Sequence, residues 1–124
     1  MSMAATSGPR TRSHPALRRL RACCLALPGT TEVASWGHPN FRTAKRTFAT
    51  FEWIGGRPSI AFRLDPVDVD FLLHRRQFFI TPYGRGRWVS VWADGRINWR
   101  LAGRLLRRSH QLATTPSVPT RRQR

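Results

Sequence analysis

The sequence predicts an α+β fold of two layers, an antiparallel sheet with helices packed on one face, in the order α-β(3)-α-β(2)-α. Three observations carry this. Stretches near residues 14–27 and 98–112 repeat their apolar residues at helical spacing. Between them the period falls to two, in runs rich in β-branched and aromatic residues. Gly55-Gly56 and the Gly84-Arg85-Gly86 stretch join these runs in pairs, a signal of hairpins and so of antiparallel pairing.

Taken in order, the first helix begins at Ser13 or His14, with Ser13 as the cap and Pro15 in the first turn. Leu17, Leu20, Cys23, Cys24 and Leu27 share its apolar face, Arg18, Ala22 and Ala26 lie opposite, and Pro28-Gly29 stops it. Strands are expected at 31–36, 46–53 and 58–63, while 37–45, with Gly, Pro and Asn, is left without an assignment. Asp65-Pro66 opens a second helix, cap then proline, with Asp68 in its first turn and an end near Arg76. Phe78–Thr81 and Arg87–Trp92 form the second hairpin. The last helix starts near Asn98. Leu101, Ala102, Leu105, Leu106, Ser109 and Leu112 line one face, and Arg100, Arg104, Arg107 and Arg108 the other. One domain over 14–113 is expected, with disordered basic tails at 1–13 and 114–124.

Charge is the unusual quantity. The chain carries 21 arginines and one lysine against six acids, a net charge of +16. Residues 14–113 alone hold 17 basic and 6 acidic side chains, so the excess belongs to the domain. A GC-rich genome accounts for arginine over lysine, but not for the scarcity of acids. A surface of this kind attracts polyanions and speeds their arrival. Cys23 and Cys24 are adjacent and offer neither a disulfide framework nor metal spacing; they read as small buried core residues in a reducing, cytoplasmic compartment. No apolar run approaches a membrane span.

Leu25-Ala26-Leu27-Pro28-Gly29-Thr30-Thr31-Glu32 leads into Ser35-Trp36-Gly37-His38-Pro39-Asn40-Phe41-Arg42, followed by Lys45 and Phe48. Thr81-Pro82-Tyr83, Gly86-Arg87-Trp88-Val89-Ser90-Val91 and Arg108-Ser109-His110 come later in the same order and spacing. Over about 14–113 the chain resembles the MmcQ/YjbR family. The resemblance implies a fold similar to the frataxin-like and secretion-chaperone-like two-layer folds. It also implies a DNA-binding role of the double-wing kind. The last helix departs from the family's pattern, with four arginines, no acid, and His110 where an aromatic is usual. Iron binding by analogy with frataxins is not expected, because the first helix carries three arginines and no acid.

The residues offer little catalytic chemistry. His14, His38, His74 and His110 include no i, i+4 pair and no carboxylate at ligand spacing, so no metal site is expected. His38 alone invites suspicion, and a turn histidine bonded to backbone is the simpler reading. Helix capping explains Asp65 and Asp68 better than acid chemistry does. The two glycine turns lead into strands rather than helices, so they are not phosphate cradles. No cofactor site and no catalytic residue is expected, and the protein reads as non-enzymatic. Most of the five tryptophans, Trp36, Trp53, Trp88, Trp92 and Trp99, suit core packing, although one exposed beside arginine would suit base stacking.

The strongest functional signal is basic. Arg42, Lys45 and Arg46 surround one turn, Arg57 lies at the first hairpin, and Arg85 and Arg87 lie in the second. These six are the expected phosphate contacts, with DNA rather than RNA as partner and little sequence reading. Two other readings stand beside this one. A tryptophan-rich sheet face would make a protein-interaction module, its partner an acidic protein or a second copy of this chain. A deep apolar pocket beside His38 or Tyr83 would make a small-molecule binder or enzyme.

Overall fold

The computed structural model describes residues 14–115. The two tails expected at 1–13 and 114–124 lie almost wholly outside the described residues, as does Ser13. The elements are α1 (Pro15–Leu25), β1 (Thr31–Ser35), β2 (His38–Arg42), β3 (Thr47–Ile54), β4 (Arg57–Arg63), α2 (Pro66–Leu72), β5 (Phe78–Ile80), β6 (Trp88–Trp92) and α3 (Trp99–Thr114). The fold is the α+β architecture expected, with one strand more in the first run. That strand, β2, occupies the unassigned 37–45 segment. Trp36 and Gly37 both have positive φ, so a tight primed turn folds β2 back on β1.

All six strands pair antiparallel in the order β1-β2-β3-β4-β6-β5. Register assigns the two faces. Phe41, Ala49, Phe51, Ile60, Phe62, Val89, Val91 and Phe78 lie on one face, and all join one core cluster with Leu17, Leu20 and Cys24 of α1, Val69 and Leu72 of α2 and Leu106 of α3. The helices therefore cover a single face. Pairing shifts between Phe41 and Arg42, leaving Phe48 as the extra residue of a bulge. The bulge puts Phe48 beside Ala49 in the core, where its ring meets the His110 ring edge-on at 5.4 Å.

The caps differ from expectation. His14 caps α1, its Nδ1 accepting the Ala16 N–H at 3.1 Å. Asp65 stands at the α2 cap position without a side-chain cap bond, because its carboxylate and that of Asp68 turn to Arg108 on α3, at 3.2 and 3.5 Å. The helix also stops at Leu72, short of Arg76. Asn98 caps α3 through Oδ1, which accepts the Leu101 N–H. Its apolar face packs on the sheet and its arginines are exposed.

Candidate functional site

The face opposite the helices is built from alternate residues of the same strands: His38, Asn40 and Arg42 on β2, Thr50 and Glu52 on β3, Ser59, Ala61 and Arg63 on β4, Trp88, Ser90 and Trp92 on β6. Ser59, Ala61 and Ser90 are fully buried although this face carries no helix. The β5–β6 loop covers them. It brings Tyr83 across β4 to β3, where its hydroxyl donates to a Glu52 carboxylate oxygen. Burial raises the Tyr83 pKa well above the ordinary tyrosine value, and the Glu52 carboxylate adds to the shift. Small side chains on β4 and β6 are thus what lets the loop lie flat.

One end of this face gathers positive charge. Arg42 ends β2 and Arg63 ends β4, on the same face. Arg87 immediately precedes β6, and its carbonyl accepts the Leu64 N–H at 2.8 Å. Lys45 and Arg46 lie in the β2–β3 turn, which Thr43 fixes. The Thr43 Oγ1 accepts the Lys45 and Arg46 N–H groups and donates to the Ala113 carbonyl at the end of α3. Arg85 projects in the β5–β6 loop with φ of 51°, a left-handed conformation that is costly for arginine. The Arg63 pKa is lowered, first by burial and then by repulsion from Arg46 and Arg87, with only Asp65 acting against them. The fold therefore holds like charges together.

Four of the six expected basic residues, Arg42, Lys45, Arg46 and Arg87, lie at this end of the sheet. Arg57 does not. It sits at the opposite end of the sheet, donating to both oxygens of Asp94 at 2.8 and 3.1 Å, with its guanidinium 4.0 Å over the Trp92 ring. Trp92 in turn stacks on Phe79 at 4.4 Å. Sequence proximity to a hairpin placed Arg57 with the others; the antiparallel path of β4 carries it to the far end. Arg63 was missed, though the signal was present, since Ser59, Ala61 and Arg63 alternate with buried Ile60 and Phe62.

Beside the basic end lies a cleft of about 640 Å³ on the open face. Its walls are Trp36 at the β1–β2 tip, Tyr83 of the β5–β6 loop and Trp88 at the start of β6, and its floor includes His38, Asn40 and Glu52. Trp36 is 93% exposed. His38 is not a turn histidine bonded to backbone. It lies on β2, and its Nε2 meets a Glu52 oxygen at 3.1 Å, while Nδ1 is buried without a hydrogen-bond partner. The lining mixes aromatic and polar groups, unlike the apolar pocket that an enzyme reading asked for. A second cavity, about 380 Å³, lies between α3 and β5–β6, lined by Phe78, Leu101 and Leu105 together with charged side chains including Arg76, Asp94 and Arg96.

The remaining candidates are structural. Cys24 is buried with its thiol pKa raised by that burial, and Cys23 is half-buried rather than buried as expected; neither forms a disulfide. Among the described residues no three of His, Cys, Asp and Glu cluster as metal ligands. Among them, too, no helix is long and apolar enough to cross a membrane.

Comparison with known proteins agrees with this architecture. A search of curated proteins finds no match. Among solved structures, a Deinococcus radiodurans protein with a DUF419 domain matches with a TM-score of 0.70 at 23% identity, over 84% of this chain and 82% of the other. A Pseudomonas syringae protein matches with a TM-score of 0.68 at 15% identity, over 77% of this chain and 97% of the other. At these identities the likeness is one of fold. The YjbR family model matches residues 25–112, a span running from the end of α1 through all six strands to the last turns of α3, and the chain belongs to the YjbR family.

Proposed function

We propose that this protein is a non-enzymatic nucleic-acid-binding domain, with DNA as the expected partner, that meets phosphates through the basic end of its open sheet face. The observation that carries this reading is the gathering of Arg42, Lys45, Arg46, Arg63 and Arg87 from three separate chain segments, with the Arg63 pKa lowered first by burial and then by repulsion from Arg46 and Arg87. A fold that holds like charges together is stabilised by a ligand that neutralises them. Arginine suits phosphate through its planar, two-pronged donor edge. Four of the six acids are engaged by arginines outside the group. Glu32 is taken by Arg21, Asp94 by Arg57, and Asp65 and Asp68 by Arg108.

The test is binding of a labelled 20-base-pair duplex across a salt series, with dextran sulfate as competitor. Five phosphate contacts give a slope of log K against log salt of about −4.5, and each Arg→Gln change within the group reduces its magnitude by about 0.9. Arg57→Gln serves as the control and leaves the slope unchanged. A flat salt response, or competition by dextran sulfate equal to that of duplex, overturns the reading.

A second reading, a protein-interaction module, draws on different residues. Val67 and Phe71 on α2 are 78% and 67% exposed, one helical turn apart. Large apolar groups displayed together mark partner surfaces. Such a partner, a second copy of this chain included, predicts a concentration-dependent mass in solution that Phe71→Ser lowers. A mass independent of concentration and of that substitution removes the second-copy form of this reading.

A further inference from the structure

We propose that the open-face cleft is a slot for one unpaired nucleobase, with the attached phosphate on the neighbouring arginines. This deepens the phosphate-binding reading above and rests on it for the strand, though not for the base.

The argument starts with shape. A cleft of about 640 Å³ falls within the about 300–1,000 Å³ usual for small-molecule sites and cannot take a stacked duplex. It does suit one base. Its walls present three aromatic rings, and aromatic rings accept any base by stacking. Tyr83 and Trp88 are held in place, their ring centres 6.5 Å apart, with Tyr83 bonded to Glu52. Trp36 lines the same cleft, 93% exposed, at a turn position with φ of 55° where Gly, Asn or Asp is the usual residue. A tryptophan kept in water on a left-handed backbone stabilises nothing within the chain. A stacked base supplies the missing contact.

Charge then sets the orientation. The floor carries one carboxylate, Glu52, its side chain 12% exposed and held between His38 and Tyr83. The Asn40 amide group donates to the Ser35 and His38 carbonyls, so its Oδ1 is left as an acceptor. Two acceptors favour base edges that carry an amino group. The carboxylate repels phosphate from the floor. The arginines attract it at the other end, where Arg42 is four residues along β2 from His38, about 13 Å at strand rise. A nucleotide with its base inward and its phosphate toward Arg42 and Arg63 matches that polarity.

The experiment compares three probes on the full chain at one ionic strength: a 12-residue oligo(dC), an abasic strand with the same number of phosphates, and free dCMP. Oligo(dC) is expected to bind about tenfold more tightly than the abasic strand, the scale of one stacked base. Trp36→Ala is expected to erase that difference without weakening abasic binding, and Trp36→Phe to keep most of it. Trp36 is exposed, so these variants leave the core intact. Equal, salt-sensitive binding of both strands overturns the slot and leaves the phosphate reading standing. Trp36-dependent binding of dCMP with no binding of either strand supports the slot, assigns it to free nucleotides, and overturns the phosphate reading. Failure of all three probes overturns both.

Discussion

At the residue scale, two side chains carry sharp consequences. The hydroxyl of Tyr83 is the donor that ties the β5–β6 loop to β3 through Glu52. Tyr83→Phe leaves that carboxylate with one donor fewer in a site shielded from water. A hydrogen bond to a charged group is worth about 1.5–3 kcal/mol, and the partial exposure of Tyr83 brings the expected loss to about 1 kcal/mol, read from the midpoint of urea unfolding. The second is His14. Its Nδ1 caps α1 only as an acceptor, which requires the neutral ring. Burial lowers its pKa, and Asp94 acts in the opposite direction. The folded pKa thus lies below the unfolded value of about 6.5, so the unfolded chain takes up the proton first. The contribution is present above about pH 6.5 and is lost as pH falls through that value toward the folded pKa. His14→Asn keeps a capping acceptor that does not titrate, so its unfolding midpoint should vary less between pH 7.5 and 5 than that of the unmodified chain. Parallel pH profiles would rule out this role for His14.

At the element scale, the β5–β6 loop is the part on which the site depends. Gly84 has φ of 94°, and a Cβ there would come within 2.2 Å of Cδ1 and 2.8 Å of Cγ of the Trp88 ring. Gly84→Ala therefore combines backbone strain with a clash against a cleft wall, and should cost about 2 kcal/mol or more. Gly86 has φ of 80° with open space around its Cβ position, so Gly86→Ala should cost only about 1 kcal/mol. Thermal melts of the two variants separate the terms; equal losses would mean the Trp88 ring yields freely. The β2–β3 turn behaves similarly. Thr43, 5% exposed, links it to α3, so the placement of Lys45 and Arg46 depends on a residue 70 positions away in sequence, Ala113. Thr43→Val removes that link and should cost about 1–2 kcal/mol in urea unfolding, with weaker duplex binding alongside.

At the scale of the whole molecule, the basic surface has two parts. The arginines of α3 face away from the open sheet face, and Arg108 among them is engaged by Asp65 and Asp68. If the sheet end is the phosphate surface, joint replacement of Arg42, Arg63 and Arg87 by Gln should lower the magnitude of the salt slope by about 2.7. Replacing Arg100, Arg104 and Arg107 instead should change it far less. The reverse ranking would move the surface to the helix layer.

What the sequence determined by itself is what depends on neighbours along the chain. Helix α3 follows from its apolar spacing and Asn98, α1 from its spacing and Pro15, and the two glycine turns imply antiparallel pairs. The charge excess is a sum and needs no structure. Even so, β2 escaped notice, because Pro39 and Asn40 are poor strand formers and the strand exists through pairing on both sides. The site depends on distant residues and was legible only in part. Arg42, Lys45, Arg46 and Arg87 lie at one end of the sheet, but Arg57 leaves the group and Arg63 joins it because strand direction and register decide which end each residue reaches. His38 with Glu52, and Tyr83 with Glu52, are contacts across strands and loops that no local pattern encodes. Register is set by burying Phe41, Ala49, Phe51, Ile60 and Phe62 together against the helices. The open face inherits its arrangement from that packing, so only the tertiary structure could decide it.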